Sequence, residues 1–153
     1  MKRLTCVFAI VVGLAAAPLI ADGDSRSVTG AGKGQFADGA ALGAVALQAV
    51  ELGTGVFIES NGSASGTFHA VLQGSSLGQP QEITVEGKVS QGSVAADGRA
   101  TFSGTASLDF GNGTPALPGV AFTVTAGADG VVLAIDSTTL PAAGLTAGAI
   151  TVD

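Results

Sequence analysis

Residues 82–110, EITVEGKVSQGSVAADGRATFSGTASLDF, change from apolar to polar at almost every step. Ile83, Val85, Gly87 and Val89 alternate with Thr84, Glu86, Lys88 and Ser90. Ala100, Phe102, Gly104, Ala106, Leu108 and Phe110 alternate with Thr101, Ser103, Thr105, Ser107 and Asp109. A period of two places one set on a buried face and the other in water, which is strand and not helix patterning. Ala96-Asp97-Gly98 lies between the two runs and carries turn residues. The pair is therefore a β-hairpin, and the rest of the chain must supply partners for it.

The same pattern recurs on both sides. Val28–Phe36 has Val28, Gly30, Gly32, Gly34 and Phe36 on one face. Asp38-Gly39 reads as a turn. Ala40–Leu52 is apolar on both faces and contains helix formers, but Gly43, Val45 and Val50 favour a strand. Gly53–Glu59 is a short strand or the end of a bulged one. Asn61-Gly62 marks a hairpin, and Ser63–Gln73 turns Phe68, Ala70 and Leu72 inward. Gly74–Pro80 reads as a loop, as does Gly111–Gly119 with its two prolines. Val120–Ala126 and Val131–Ser137 flank Asp129-Gly130, read as the two central residues of a primed turn. Thr138–Gly144 is a further loop, and Leu145–Val152 is a last strand placed to pair with the first. Glycines recur at the middle of inward faces (Gly66, Gly87, Gly104), where sheets bend or backbones approach closely. The expected fold is all-β: an antiparallel meander of about eight strands closing into a barrel or barrel-like sandwich.

The N-terminus reads as a processing signal. Met1-Lys2-Arg3 is followed by an apolar run over Leu4–Ala17, then small residues up to Ala21. This is the three-part layout of a secretory signal peptide, assigned to residues 1–21. The run is short of the ~20 residues needed to span a bilayer, so no membrane span is expected after cleavage. Residues 22–27 form a flexible leader and residues 28–153 a single domain. Cleavage removes Cys6, the only cysteine, so disulfides and thiolate chemistry are excluded. Four cations then face 12 acidic residues, a net charge of −8. Four scattered cations cannot track a phosphate backbone, so nucleic acid is not an expected partner. A secreted chain without disulfides that begins Met-Lys-Arg points to a bacterial, secreted or periplasmic protein.

GKGQF near the start, GTFHAVL, TVEGKV, ATFSGTASL, an FTVT strand before a turn and a terminal ITV together resemble small secreted bacterial β domains of the post-COAP type. The resemblance covers most of the chain after residue 21. It implies an all-β fold and carries no catalytic residues.

Residues able to do chemistry are few. His69 is the single histidine and falls on the face opposite Phe68 and Leu72, hence outward. A Ser-His-Asp arrangement needs a partner for it, and no Gly-x-Ser-x-Gly elbow is present. Ser63 and Ser65 fall in a hairpin turn. Glu82 and Glu86 are a formal carboxylate pair for glycoside hydrolysis, but the chain has no Trp or Tyr to stack on a sugar. Glu86 shares its face with Lys88. Asp22-Gly23-Asp24 and Asp109–Asn112 offer oxygens without the spacing of a calcium loop. Asn61-Gly62-Ser63 and Asn112-Gly113-Thr114 match the glycosylation triplet and read more simply as turns. No catalytic residue, metal site or cofactor is expected. The expected role is that of an exported non-catalytic module, structural or interactive, with an unknown protein or envelope component as partner. A carrier barrel for a small apolar ligand is the alternative, and a hydrolase with an unrecognised site ranks below it.

Overall fold

The computed structural model describes residues 24–153; the signal peptide assigned to residues 1–21 lies outside the described residues. Ten strands follow in chain order: β1 (Arg26–Phe36), β2 (Ala41–Leu42), β3 (Val45–Ile58), β4 (Ser63–Ser76), β5 (Gln79–Val94), β6 (Ala100–Asp109), β7 (Leu117–Gly127), β8 (Gly130–Ile135), β9 (Thr138–Thr139) and β10 (Ala143–Val152). Every pairing between them is antiparallel. The all-β meander is as the patterning requires, with eight long strands in a ring and β2 and β9 as short additions. β1 starts at Arg26, so the last two residues of the expected leader belong to the sheet. Ser27 and Asp153 exchange backbone hydrogen bonds of 3.0 and 2.9 Å, which tie the two ends of the domain together.

β1 pairs with β10 on one side and β3 on the other, which closes the ring through the N-terminal strand. The opposite seam lies along β8. Its partners are β9 at Ala134–Thr139 and Ile135–Thr138, then β10 at Val131–Ala143 and Gly130–Gly144. The Leu140 N–H donates to the Leu133 carbonyl between them. β9 and β10 are thus one interrupted run that lines the whole edge of β8. Registered partners trace a circuit Val152–Val28–Val56–Gly66–Val89–Gly104–Phe122–Ile135–Thr138. The circuit starts at one end of the β9–β10 run and finishes at the other. Such a stagger requires strands tilted against the axis, which brings the walls close enough for side chains to fill the interior.

The interior is continuous and wholly apolar, with no buried polar residue among the described residues. Phe68 stacks on Phe122 at 5.8 Å between ring centroids, and Phe102 meets Phe68 at 6.0 Å, tilted by 60°. Leu72, Ile83, Val85, Val124, Leu133 and Ile135 pack around them. Gly87 faces this cluster. A Cβ there would sit 2.7 Å from the edge of the Phe122 ring, so the missing side chain is the space the ring occupies.

Ala40–Leu52 is strand, as the glycine and valines indicate, but it is not one strand. Gly43, at φ 60°, turns the chain between β2 and β3. The apolar character of both its faces has a specific cause. A bulge between Leu47 and Ala49 switches parity, so Val45 and Leu47 point inward before it and Val50, Leu52, Val56 and Ile58 after it. β3 also absorbs the expected separate strand at Gly53–Glu59.

Three expected loops are shorter than the sequence suggests. Gly111–Gly119 gives up its last three residues to β7. Thr138–Gly144 contains β9 and the buried Leu140. Gly74–Pro80 collapses to a two-residue turn, Leu77-Gly78, with φ 52° and 76°. Both residues are left-handed, the signature of a primed hairpin turn that matches strand twist. Leucine is a poor occupant of that region and here makes no compensating contact, being fully exposed at 101%. Leu77→Asn is therefore expected to stabilise the fold by up to about 1 kcal/mol, read as a rise in the thermal midpoint.

Candidate functional site

The outer wall of β4, β5 and β6 gathers the residues the sequence singles out. Register places His69 opposite Glu86, and Glu86 opposite Ser107, in one row across three strands. His69 and Glu86 are exposed, as period-two patterning predicts. The order matters chemically. A nucleophilic triad needs the imidazole between hydroxyl and carboxylate. Here the carboxylate stands in the middle, so His69 has no registered access to Ser107. The ion pairs among the described residues are Lys33–Glu51 at 2.6 Å, Arg99–Asp97 at 3.8 Å and Arg99–Asp129 at 4.0 Å, and none touches this row. Lys88 sits two residues along β5 on the same face, opposite Thr67 and Thr105. With Pro118 and Gly119 these residues line a shallow open depression of about 610 Å³.

Glu82 and Glu86 lie on the same outward face of β5, four residues apart. At ~3.4 Å per residue that is roughly 13–14 Å, beyond the ~5–9.5 Å that glycoside hydrolysis uses. Glu82 instead accepts a 3.5 Å hydrogen bond from the Gln73 amide.

The remaining polar candidates are spent on turns. The Asp109 carboxylate accepts from the Gly111 N–H at 2.8 Å. Asn112 Oδ1 accepts from the Thr114 N–H at 3.0 Å and its hydroxyl at 2.6 Å. Asn61 Oδ1 does the same for Ser63, at 2.8 and 2.6 Å, and Ser63 Oγ lies 2.9 Å from Glu59 Oε2. These are Asx-type turns in which a side chain mimics a backbone acceptor. Ser65 is exposed on β4, past the turn in which the sequence places it. Among the described residues no three His, Asp or Glu side chains converge on a point. Asp22 and Gly23 lie outside the described residues.

A second concavity opens at the end of the ring where β1 begins and β10 ends. It has a volume of about 660 Å³, with Ile58, Val94 and Val152 on its walls and Asp24, Arg26 and Glu59 at its rim. No described helix is long and apolar enough to cross a membrane.

Sequence reasoning missed the distribution of charge. From Phe110 to Val152 the charged residues are Asp129 and Asp136 alone, each in a turn. β7, β8, β9 and β10 therefore carry no charge at all, whereas β1, β3, β5 and β6 carry Arg26, Lys33, Glu51, Glu82, Glu86, Lys88 and Asp109. The signal was present as a composition shift and needed only to be counted strand by strand.

Compared with protein-family models, with curated proteins and with solved structures, the chain matches none.

Proposed function

We propose that this chain is an exported, non-catalytic β domain that serves as a structural or interaction module of the cell envelope or extracellular space. The observation that carries the reading is the interior. Phe68, Phe102 and Phe122 occupy the place where a carrier of this architecture would hold its ligand. Binding pockets for small molecules enclose most of the ligand surface, and the concavities here are open. The row of His69, Glu86 and Ser107 does not order a nucleophile, and the carboxylates stand too far apart for paired acid–base work. What remains is a rigid, filled ring that presents surfaces.

The carrier reading is favoured by one feature, the apolar walls of the end cleft at Ile58, Val94 and Val152. The export half of the proposal rests on the layout of residues 1–21. N-terminal sequencing of the protein recovered outside the cytoplasm tests it: the expected first residue lies within a few positions of Asp22. An intact Met1 in a membrane fraction is the contrary result.

A further inference from the structure

We infer that the outer edge of β10 is a self-association site, at which two copies of this chain pair antiparallel about a two-fold axis near Ile150. The inference rests on the reading of the domain as an interaction module and names its partner.

Two independent observations support it. The first is an unpaired edge. β10 bonds β8 at Ala143 and Gly144 only, because the β7–β8 hairpin ends there. From Leu145 to Val152 it is paired with β1 on one side, and no described residue pairs with it on the other. Asp153 and Ser27 exchange both backbone bonds, so Asp153 faces β1. Antiparallel pairs alternate in direction. Ala149 and Thr151 therefore also bond toward β1, and Gly148, Ile150 and Val152 point their N–H and C=O groups outward. Proteins guard such edges with lysine, proline, a bulge or a covering element. Leu145–Val152 holds no charge and no proline. Its one bulge lies at the Thr146 end, opposite Lys33 and Gly34, which leaves Gly148–Val152 in register.

The second observation is the charge distribution. The protein is acidic, so two copies repel wherever carboxylates face one another. Glu51, Glu82 and Glu86 lie on β3 and β5, whereas strands β7–β10 carry no charge and the acidic groups of that half, Asp129, Asp136 and Asp153, lie in turns and just past the end of β10. A second copy that approaches through β10 keeps the Glu51, Glu82 and Glu86 of the two copies away from one another. The edge is also complementary to itself. With Ile150 opposite Ile150, the two copies can exchange N–H and C=O at that pair, and Gly148, at φ 82°, stands opposite Val152. A two-fold contact of this kind is closed, so it stops at the dimer.

Sedimentation equilibrium of the purified protein tests the inference. The wild type is expected to be a dimer at tens of micromolar, dissociating on dilution. Ala149 is exposed and stands, across the proposed axis, diagonal to its own copy, within roughly 7–8 Å. Ala149→Lys and Ala149→Glu are each expected to sediment as monomers while retaining the wild-type far-ultraviolet circular dichroism. An equimolar mixture of the two is expected to recover the dimer, which a merely damaged strand would not do. A wild type that stays monomeric up to millimolar concentration overturns the inference. So does a dimer that both single variants preserve, since the contact then lies elsewhere. Neither result bears on whether the domain binds a small ligand, which a separate titration decides.

Discussion

Phe102→Ala is expected to cost about 3–5 kcal/mol of folding stability, the range for a large side chain deleted from a packed core. Phe102 is 1% exposed and tilts against Phe68, which in turn stacks on Phe122. Removing it leaves a cavity bounded by two rings and by strands whose register is fixed on both sides. β6 is held to β5 and β7 along its length, so the walls cannot collapse into the gap. Domains of this size are stable by roughly 5–15 kcal/mol. The variant should therefore unfold at much lower denaturant or fail to accumulate. Chemical denaturation measures it. A shift below about 1 kcal/mol would mean that Phe102 lines a space already empty.

Gly130→Val is expected to be about as damaging, for a different reason. Gly130 has φ 148° and forms, with Gly144, the closing pair of the β8–β10 seam. A Cβ at this position runs into the backbone carbonyl of Ala143. The backbone strain costs about 1–3 kcal/mol, and displacing a neighbouring strand costs a similar amount. The control is Gly53→Ala, where a Cβ meets nothing within 4 Å; there stability should stay level or rise slightly, by up to about 1 kcal/mol. Thermal melts of the two variants should thus diverge strongly. Equal melts would show that the seam does not close as described.

Gly130 also marks where sequence reading misplaced a turn. Asp129-Gly130 looks like the centre of a primed hairpin. The structure puts Ala128 and Asp129 at the centre, with Gly127 opposite Gly130, and neither central residue has a positive φ. The glycine is required by a strand distant in sequence and not by its own turn, and short-range patterns hold no record of that contact. The bulge at Leu47–Ala49 is the same kind of miss. A parity switch inside a strand resembles an apolar run with no preferred face, and only the partner strand reveals it. By contrast, Phe68, Leu72, Ile83, Val85, Phe102, Val124 and Leu133 were readable as core, because uninterrupted alternation leaves one face to bury. His69 was readable as outward for the same reason. That its row runs Ser107, Glu86, His69 was not, since the order depends on the registers of two hairpins. The unpaired edge of β10 follows from the stagger of the whole ring, and no local stretch encodes it.

The central claim is that the ring is filled by its own side chains and holds no ligand. Titration with a fluorescent fatty acid tests it most directly. The chain has no Trp or Tyr to interfere with the signal. The account predicts a linear response that does not saturate with the wild-type protein. Saturable binding of one molecule per chain, lost when Phe68 or Phe122 is replaced, would contradict it and establish the carrier.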